Sequence, residues 1–321
     1  MKTVVIAGAS GFAGAGLTKR CLDAGYEVLG IDCIAFMEAD KLPDSVKNHP
    51  NFTYLWKGLD DVKPWDIPDE AIIIDLAAYA DVPFGLSSPK ECIRNNIMST
   101  VSLLDAVKEV NIDRFIFASS GNVFGRPLYI PIDENHPLVP HNPYSASKCC
   151  QELVCWAWHR AYDIPLVVMS NGIVCGPGMR RDIVIYRWLY NILKGRPIII
   201  EGKPIADQTR DITFVSDVLD AWMLTIKAPR DVVIGQKFQV SYGEEMRVEE
   251  IAKLCMDVCN KTVPVIRKPH RPGEKGQREC FDTTKAKTML GYNPKIAPRE
   301  AIALTVPWVK KQIDLESRYA D

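Results

Sequence analysis

Residues 2–14, KTVVIAGASGFAG, decide the fold of this chain. Residues 2–7 are short, apolar and rich in β-branched side chains, a pattern that predicts a buried parallel strand. Glycines follow at Gly8, Gly11 and Gly14 and lead into a helical pattern. Such glycines permit a tight turn and close helix–strand packing, and a helix N-terminus favours an anion such as a pyrophosphate. The segment therefore predicts the first half of a dinucleotide-binding βαβ unit.

Asp32 follows a second predicted strand at residues 27–31. A carboxylate at this place can bond the ribose hydroxyls of a dinucleotide, and it would repel the extra phosphate of NADP. The position therefore favours NAD, and the alternative is a strand-end aspartate that only caps a turn. Leu59, which follows a weaker strand at 51–57, is predicted to contact the adenine.

Small or polar residues follow the next predicted strands as well. Leu76, Ala77 and Ala78 would let a cofactor lie close to the backbone. Ser120 falls at the carboxyl end of a strand, where open parallel sheets bind ligands. Asn96 lies inside a predicted helix, where a buried amide needs a partner unless it faces solvent. The elements concerned are strands at 71–76, 114–119 and 165–170 and a helix at 89–110.

Residues 142–148, NPYSASK, place a tyrosine and a lysine four positions apart. On a helix this spacing projects Tyr144 and Lys148 from one face, about one turn apart. A free tyrosine loses its proton near pH ~10, but a neighbouring ammonium group favours the phenolate. The pair can therefore serve as a general base near neutral pH. The same spacing also occurs on solvated helices, so the rest of the chain must support this interpretation.

The composition is that of an ordinary globular protein, since 47% of the 321 residues are apolar and 25% are charged. A net charge of −1 without a basic run gives no reason to expect nucleic acid. The ten cysteines form no C-x-x-C pair and have no matching histidine cluster. We interpret them as reduced thiols without a metal, in a reducing compartment such as the cytoplasm. No apolar stretch is long enough to span a membrane.

A series of motifs resembles the extended short-chain dehydrogenase/reductase family, in its nucleotide-sugar epimerase/dehydratase branch. The motifs occur in the family's order and cover essentially the full length. They are GASGFAG at 8–14, Asp32, LAA at 76–78, NIMST at 96–100, SSGNVFG at 119–125, PYSASK at 143–148, GPG at 176–178, RDITFVSDV at 210–218, RPGE at 271–274 and LGYNP at 290–294.

The resemblance implies an α/β fold, with a Rossmann-type doubly wound parallel sheet and a smaller carboxyl-terminal substrate lobe. The expected NAD-binding domain spans residues 1–170, with 206–230 returning to it. The expected nucleotide-sugar lobe spans 171–321, and a UDP-sugar is the first choice of substrate. Phe12 and Ala13 of the glycine loop join the predicted NAD site.

The resemblance also implies roles for individual residues. Tyr144 is the expected base, and Ser120 is expected to bond the reacting hydroxyl. Lys148 is expected to hold the nicotinamide ribose and to lower the pKa of Tyr144. Asn96 matches an asparagine of the cofactor region.

Substrate contacts are implied for three further residues. Arg210 and Arg271 match positions that grip the nucleotide diphosphate, which suits the chemistry of arginine with phosphate. The alternative for either arginine is a structural ion pair. Asp217 matches a position near the nucleoside.

Departures from the family pattern bear on the reaction. Related 4,6-dehydratases carry Thr-Asp-Glu where this chain has Ser120-Gly121-Asn122, so an acid and a base for expelling water are not evident. Oxidation and reduction at one carbon, as in the 4-epimerases, is therefore the predicted chemistry. The alternatives are a dehydratase, a decarboxylase or a dehydrogenase on the same scaffold, or a non-catalytic dinucleotide-binding protein. Asp75, Ser170 and residues 173–175 also depart from the common pattern and leave the sugar open.

The helix that begins near Tyr144 is apolar nearly all round, so one sheet cannot cover it. Its outer face offers Trp156 and Trp158, and the predicted helix at 89–110 would flank it. Two such helices from each subunit would form a four-helix bundle about a twofold axis, which predicts a homodimer. The alternative is that the carboxyl-terminal segments of the same chain cover this face.

Overall fold

The computed structural model describes residues 2–202, 208–273 and 275–318. Its strands are β1 (Thr3–Ala7), β2 (Glu27–Asp32), β3 (Phe52–Trp56), β4 (Ile72–Asp75), β5 (Arg114–Ala118), β6 (Leu166–Asn171), β7 (Ile173–Cys175), β8 (Ile198–Glu201), β9 (Thr209–Arg210), β10 (Ile212–Phe214), β11 (Gln236–Val240), β12 (Met246–Arg247) and β13 (Val265–Lys268). Its α-helices are α1 (Phe12–Asp23), α2 (Asp44–Lys47), α3 (Val82–Ser87), α4 (Pro89–Val107), α5 (Pro143–Tyr162), α6 (Val184–Leu193), α7 (Val215–Lys227), α8 (Arg230–Val233), α9 (Val248–Cys259), α10 (Thr284–Leu290) and α11 (Pro298–Arg318).

A seven-stranded parallel sheet forms the centre, in the order β11-β6-β5-β4-β1-β2-β3. Ala7 at the end of β1 pairs with Ile31 on one side and with Asp75 on the other. The strand order therefore reverses between β1 and β4, which is where doubly wound sheets open a crevice for ligands. The predicted α/β fold is confirmed.

Alternating side chains of the sheet feed two separate cores. Val4 and Ile6 pack with Leu17 of α1 and Trp222 of α7 on one face. Val5 points to the other face, where the core includes residues of α4 and α5. Burial on both faces explains why the strands are continuous apolar runs and why β1 was predictable from its sequence.

The smaller lobe has its own core, in which α6, α9 and α11 pack together. Trp188 and Leu189 of α6 meet Ile251 and Cys255 of α9 and Val309 of α11 there. The strands of this lobe form short pairs, namely β7 with β10, β8 with β13 and β9 with β12. This lobe covers the carboxyl edge of the central sheet and closes the crevice from above.

The segment that returns to the first domain is longer than the predicted 206–230. Strand β11 pairs with β6 in the central sheet, and Ala286 and Leu290 of α10 pack into the core beneath it. Residues 206 and 207 of the predicted segment lie outside the described residues. The lobe therefore takes less of the carboxyl-terminal half than the expected 171–321.

Two further observations concern the whole described chain. Each of the ten cysteines is a free thiol. In the described ranges, none of the helices has both the length and the apolar character needed to cross a membrane.

Candidate active site

A cavity of about 480 Å³ lies between the carboxyl edge of the central sheet and the smaller lobe. The glycine loop lines one end, and Ser120 and Tyr144 lie in its wall. Arg210 and Arg271 line the part that belongs to the lobe. Parallel strands place their carboxyl ends at one edge of the sheet, which is why segments far apart in sequence meet here.

The glycine loop makes the close approaches that its sequence predicted. Gly8 has φ +82, and a Cβ there would lie 3.1 Å from the Ala77 nitrogen. A Cβ on Gly14 would lie 2.1 Å from the Gly8 oxygen, so only glycine lets α1 begin this close to β1. The first amides of α1 have no intrahelical acceptor, and the residues that carry them line the cavity. The loop fits the pyrophosphate of a dinucleotide.

Asp32 supports this loop from the neighbouring strand. Its Oδ2 accepts hydrogen bonds from the Ser10 amide at 3.0 Å and from the Ser10 hydroxyl at 2.6 Å. Its Oδ1 accepts one from the Ile34 amide at 3.1 Å. Asp32 and Leu59 are not among the described residues that line the cavity, which ends at the glycine loop. The contacts agree with the turn-capping alternative and leave the predicted ribose contact as a hypothesis.

The capped N-terminus of helix α5 places Tyr144 at the cavity. Asn142 caps the helix by accepting a hydrogen bond from the Ser145 amide at 2.8 Å, and the Ser145 hydroxyl accepts one from the Asn142 amide at 3.0 Å. Pro143 occupies the first helical position, where its missing N–H costs nothing. Gly85 of α3 packs directly on the helix, because a Cβ there would lie 3.1 Å from the Tyr144 nitrogen.

Burial raises the pKa of the Tyr144 phenol. A hydrogen bond with the Ser120 side chain and the positive charge of Arg180 lower that pKa, whereas Cys92 and Asp81 raise it. The predicted effect of Lys148 on this pKa stays a prediction. Arg180 lines the cavity and forms an ion pair with Asp182 at 2.8 Å.

Lys148 lies behind the cavity wall, 4% exposed. Its Nζ is 4.4 Å from the centroid of the Phe117 ring. Burial lowers the pKa of Lys148 to about 8, and Asp75 acts in the opposite direction.

Asn96 links the segment after β4 to the Tyr144 helix. Its Oδ1 accepts a hydrogen bond from the Tyr79 amide at 2.7 Å, and its Nδ2 donates to the Ser147 hydroxyl at 2.9 Å. The side chain is fully buried, so its hydrogen-bond partners are groups of this protein rather than solvent. Leu76 and Ala78 line the cavity, whereas Ala77 packs against Gly8.

The two predicted arginines both line the lobe side of the cavity, and both also form ion pairs. Arg271 Nε lies 2.7 Å from Glu201 Oε2. Arg210 Nε lies 3.8 Å from Glu279 Oε1, and Arg210 Nη2 donates to Gln277 Oε1 at 3.1 Å. The ion pairs hold the guanidinium groups at the cavity, so the two alternatives are compatible. Glu274 of the same motif lies outside the described residues.

Asn122 is tied to this polar wall, since Gln277 Nε2 donates to Asn122 Oδ1 at 3.1 Å and to Glu279 Oε1 at 2.9 Å. Gln277 and Glu279 line the cavity, yet the sequence offered no motif that singled them out. Arg180 was missed for the same reason, although its place just after the GPG loop was a usable indication.

Asp217, predicted to lie near the nucleoside, makes a buried structural contact. It is 2% exposed, and its Oδ2 accepts a hydrogen bond from the Ile296 amide at 2.9 Å. It is not among the described residues that line the cavity. The structure gives it a contact that fixes the segment before α11.

Three known proteins illustrate what the chain is similar to. UDP-glucose 4-epimerase of Mycolicibacterium smegmatis is 29% identical, over 97% of this chain and 99% of that protein. A dTDP-glucose 4,6-dehydratase of Streptomyces niveus is 26% identical, over 96% of this chain and 92% of that protein. The crystal structure of UDP-glucuronic acid 4-epimerase from Bacillus cereus, in complex with UDP-glucuronic acid and NAD, superimposes with a TM-score of 0.89. It is 25% identical and covers 97% of this chain and 99% of that chain.

The match to a protein-family model extends along nearly the whole chain. Residues 5–305 match the model described as GDP-mannose 4,6 dehydratase. This range includes the glycine loop, the Tyr144 helix and both cavity arginines. The chain therefore belongs to the GDP-mannose 4,6-dehydratase family, which lies within the extended short-chain dehydrogenase/reductases that the motifs indicated.

Proposed function

We propose that this protein is an NAD-dependent nucleotide-sugar 4-epimerase. The observation that carries the proposal is the hydroxyl pair of Ser120 and Tyr144, placed in one cavity between a glycine loop and an arginine-bearing wall. A dinucleotide on the loop and a diphosphate on the arginines would bring a nicotinamide and a sugar together at these hydroxyls. The epimerases of M. smegmatis and B. cereus support this choice.

The cofactor would lie along the carboxyl ends of β1, β2 and β4. The amides after Gly11 would bind its pyrophosphate, and Asp32 would face its adenosine ribose. Lys148 would hold the nicotinamide ribose. When bound, NAD supplies the oxidant that removes hydride from the sugar C4 and then returns it.

The side chains of this protein would handle the proton and the oxygen. Tyr144, as phenolate, would take the proton of the 4-hydroxyl, and Ser120 would donate a hydrogen bond to the same oxygen. Burial opposes the phenolate, and the charge of Arg180 favours it. The 4-keto sugar then turns so that its opposite face is reduced, and Tyr144 gives the proton back.

The substrate is proposed to be a nucleotide-diphosphate sugar, with UDP as the first nucleotide to test. Arg210 and Arg271 would contact the diphosphate, because a guanidinium matches two phosphate oxygens at once. UDP is chosen because the two epimerases above act on UDP-sugars by name. Glu201 and Glu279 would keep these arginines oriented.

Dehydration is the second candidate, and the Streptomyces relative favours it. Against it, the chain presents Ser120, Gly121 and Asn122 where a dehydratase needs an acid and a base. Asn122 is an amide tied to Gln277 and cannot exchange a proton in this role. Mass spectrometry of the product separates the candidates, since epimerisation leaves the mass unchanged. Loss of water or carbon dioxide, or net accumulation of NADH, would overturn the epimerase.

A homodimer is part of the same proposal. Leu153 and Tyr162 of α5 are 59% and 52% exposed, and Met98 of the adjacent α4 is 45% exposed. These apolar side chains suit a twofold four-helix bundle. The ten free thiols suit a reducing compartment, for which we propose the cytoplasm.

Sedimentation at low concentration tests the dimer. We expect twice the chain mass of 36.0 kDa, and we expect Leu153→Glu to give the monomer because it buries a charge in an apolar contact. Asp163→Asn, just after the helix, is the control that should remain dimeric. A wild-type protein that stays at the single-chain mass would rule out the bundle.

A further inference from the structure

Asp75 is a buried carboxylate that the proposed chemistry leaves without a role. It is the last residue of β4 and is 1% exposed. Thr100 donates its hydroxyl hydrogen to Asp75 Oδ2 at 2.7 Å, and the Ala77 amide donates to Oδ1 at 3.1 Å. Both donors are neutral. They favour the ionised carboxylate, but its negative charge still requires a cation.

Lys148 is placed to supply that cation. Asp75 pairs in register with Phe117 of β5, and the Lys148 ammonium lies 4.4 Å from the centroid of the Phe117 ring. Lys148 is itself 4% exposed, and a lone charge is unfavourable at such burial. Burial lowers the pKa of Lys148 to about 8, and Asp75 is the largest of the charges that raise it. Burial likewise raises the pKa of Asp75, and Lys148 is the largest influence that lowers it.

The other groups that act on Lys148 cannot replace Asp75. Glu152 lies one turn further along α5, and both of its carboxylate oxygens already accept hydrogen bonds. Its Oε1 accepts a hydrogen bond from Lys237 at 2.6 Å, and its Oε2 accepts one from the Ser119 hydroxyl at 2.6 Å. Burial raises the pKa of the Cys155 thiol well above its usual value, so this group is neutral. From β5, the neighbour of Lys148 is the uncharged ring of Phe117.

We propose that Asp75 is the counter-charge that keeps Lys148 an ammonium group, and that it ties this charge to the loop on the cofactor side of the cavity. This connection runs through the Ala77 amide, which donates a hydrogen bond to Asp75 and packs on Gly8. A second contact secures the carboxylate, because Gln151 of α5 donates to the Thr100 hydroxyl at 2.7 Å. Asp75 is thus a positioning residue, which acts through Lys148.

The proposal fixes the direction of a pH effect. In the wild type, Lys148 loses its positive charge as the pH rises through a pKa of about 8. Without the negative charge of Asp75, burial is opposed less strongly, so that loss moves to a lower pH. An opposite charge at close range changes a pKa by about 1–3 units, so a shift of about one unit or more is expected.

Carbon-13 NMR on protein labelled at the lysine Cε measures this directly. The Lys148 resonance is assigned by its absence in Lys148→Met. We expect a wild-type midpoint well below that of the surface lysines, and a midpoint lower by about one pH unit or more in Asp75→Asn. Equal midpoints in the wild type and in Asp75→Asn would overturn the proposal.

Asp211→Asn is the matched control. Asp211 is also fully buried and accepts hydrogen bonds from the amides of Gly243 and Phe281, both at 3.1 Å. It is not among the groups that act on Lys148. We expect the Lys148 midpoint to stay at the wild-type value in this variant, and an equal fall in both variants would overturn the proposal by indicating a general effect of lost stability.

If Asp75→Asn does not fold, the wild-type protein answers the question through the Asp75 carboxyl carbon. An Asp75 that is ionised at neutral pH, and whose resonance responds to the Lys148 titration, supports the counter-charge. An Asp75 that is protonated at neutral pH overturns it.

The kinetic consequence alone rests on the proposed function: in Asp75→Asn the alkaline fall of the epimerase rate should move to lower pH. A protein that epimerises no sugar would remove that readout and leave the NMR result intact.

Discussion

The side of the cavity proposed for the cofactor and the side proposed for the substrate are built in different ways. On the cofactor side, backbone geometry shapes the site: Gly8 has a positive φ, Gly14 leaves no room for a Cβ, and Asp32 holds the loop through Ser10. On the substrate side, the wall consists of long charged side chains held by one another, such as Arg271 with Glu201. A backbone site tolerates little change in sequence, whereas a wall of side chains can be altered residue by residue. A change in the arginine-bearing wall can therefore leave the glycine loop intact.

Tyr144 stands where the two sides meet, and its removal should have the largest effect. Tyr144→Phe keeps the ring that fills the site but has no proton to exchange, so the rate should fall by ~10²–10⁴-fold. NAD binding should persist, because the glycine loop is untouched. Stopped assays measure the rate, and titration calorimetry measures NAD binding. A folded variant with near-normal turnover would exclude Tyr144 as the base.

Arg271 tests the substrate side alone. A hydrogen bond to a charged group contributes about 1.5–3 kcal/mol, so Arg271→Met should raise KM for the nucleotide sugar by about tenfold or more. Affinity for NAD should not change. Arg267→Met is the control. Arg267 lies on the exposed β13, forms an ion pair with Glu249 and is absent from the described cavity wall. Equal KM values for both variants would place the diphosphate elsewhere.

Asp32 tests the cofactor side and should give the smallest change. Asp32→Ala removes a hydroxyl acceptor and a charge that repels a phosphate, so NAD should bind more weakly and discrimination against NADP should relax. Ser10→Ala separates the two roles of Asp32. It releases the loop contact at 2.6 Å but keeps the carboxylate, so its preference for NAD should remain. If NADP gains equally in both variants, loop support rather than charge sets the choice of cofactor.

The same contrast describes what the sequence predicted. The segments around Gly8 and Tyr144 were interpretable because strand, loop and helix follow one another in the chain and contact each other locally. Strand β11 was missed because QKFQV is polar, and its burial depends on a distant partner: Lys237 is neutralised by Glu152 at 2.6 Å. The lobe wall was only partly predictable for the same reason, since Gln277 reaches Asn122 across the fold.

Motif positions also predict roles for single residues, and the structure adds contacts that the motifs do not show. Lys148 was expected to act on Tyr144, and its burial and the charge of Asp75 now also bear on its role. Asp217 was expected near the nucleoside, and in the structure it accepts a hydrogen bond from the Ile296 amide. Burial and hydrogen-bond partners decide such roles, and these depend on contacts between segments that a linear pattern does not specify.

Product analysis in deuterated water tests the central claim most directly. The purified protein with its bound NAD is incubated with UDP-glucose, UDP-N-acetylglucosamine and UDP-glucuronic acid, and the products are examined by proton NMR and mass spectrometry. We predict inversion at C4 in at least one sugar, with no deuterium on carbon, because the same hydride leaves and returns within the site. Tyr144→Phe should abolish this inversion. A product that has lost water or carbon dioxide, or one with solvent deuterium on carbon, would contradict the account. The absence of C4 inversion in these sugars and also in GDP-, CDP- and dTDP-sugars would contradict it as well.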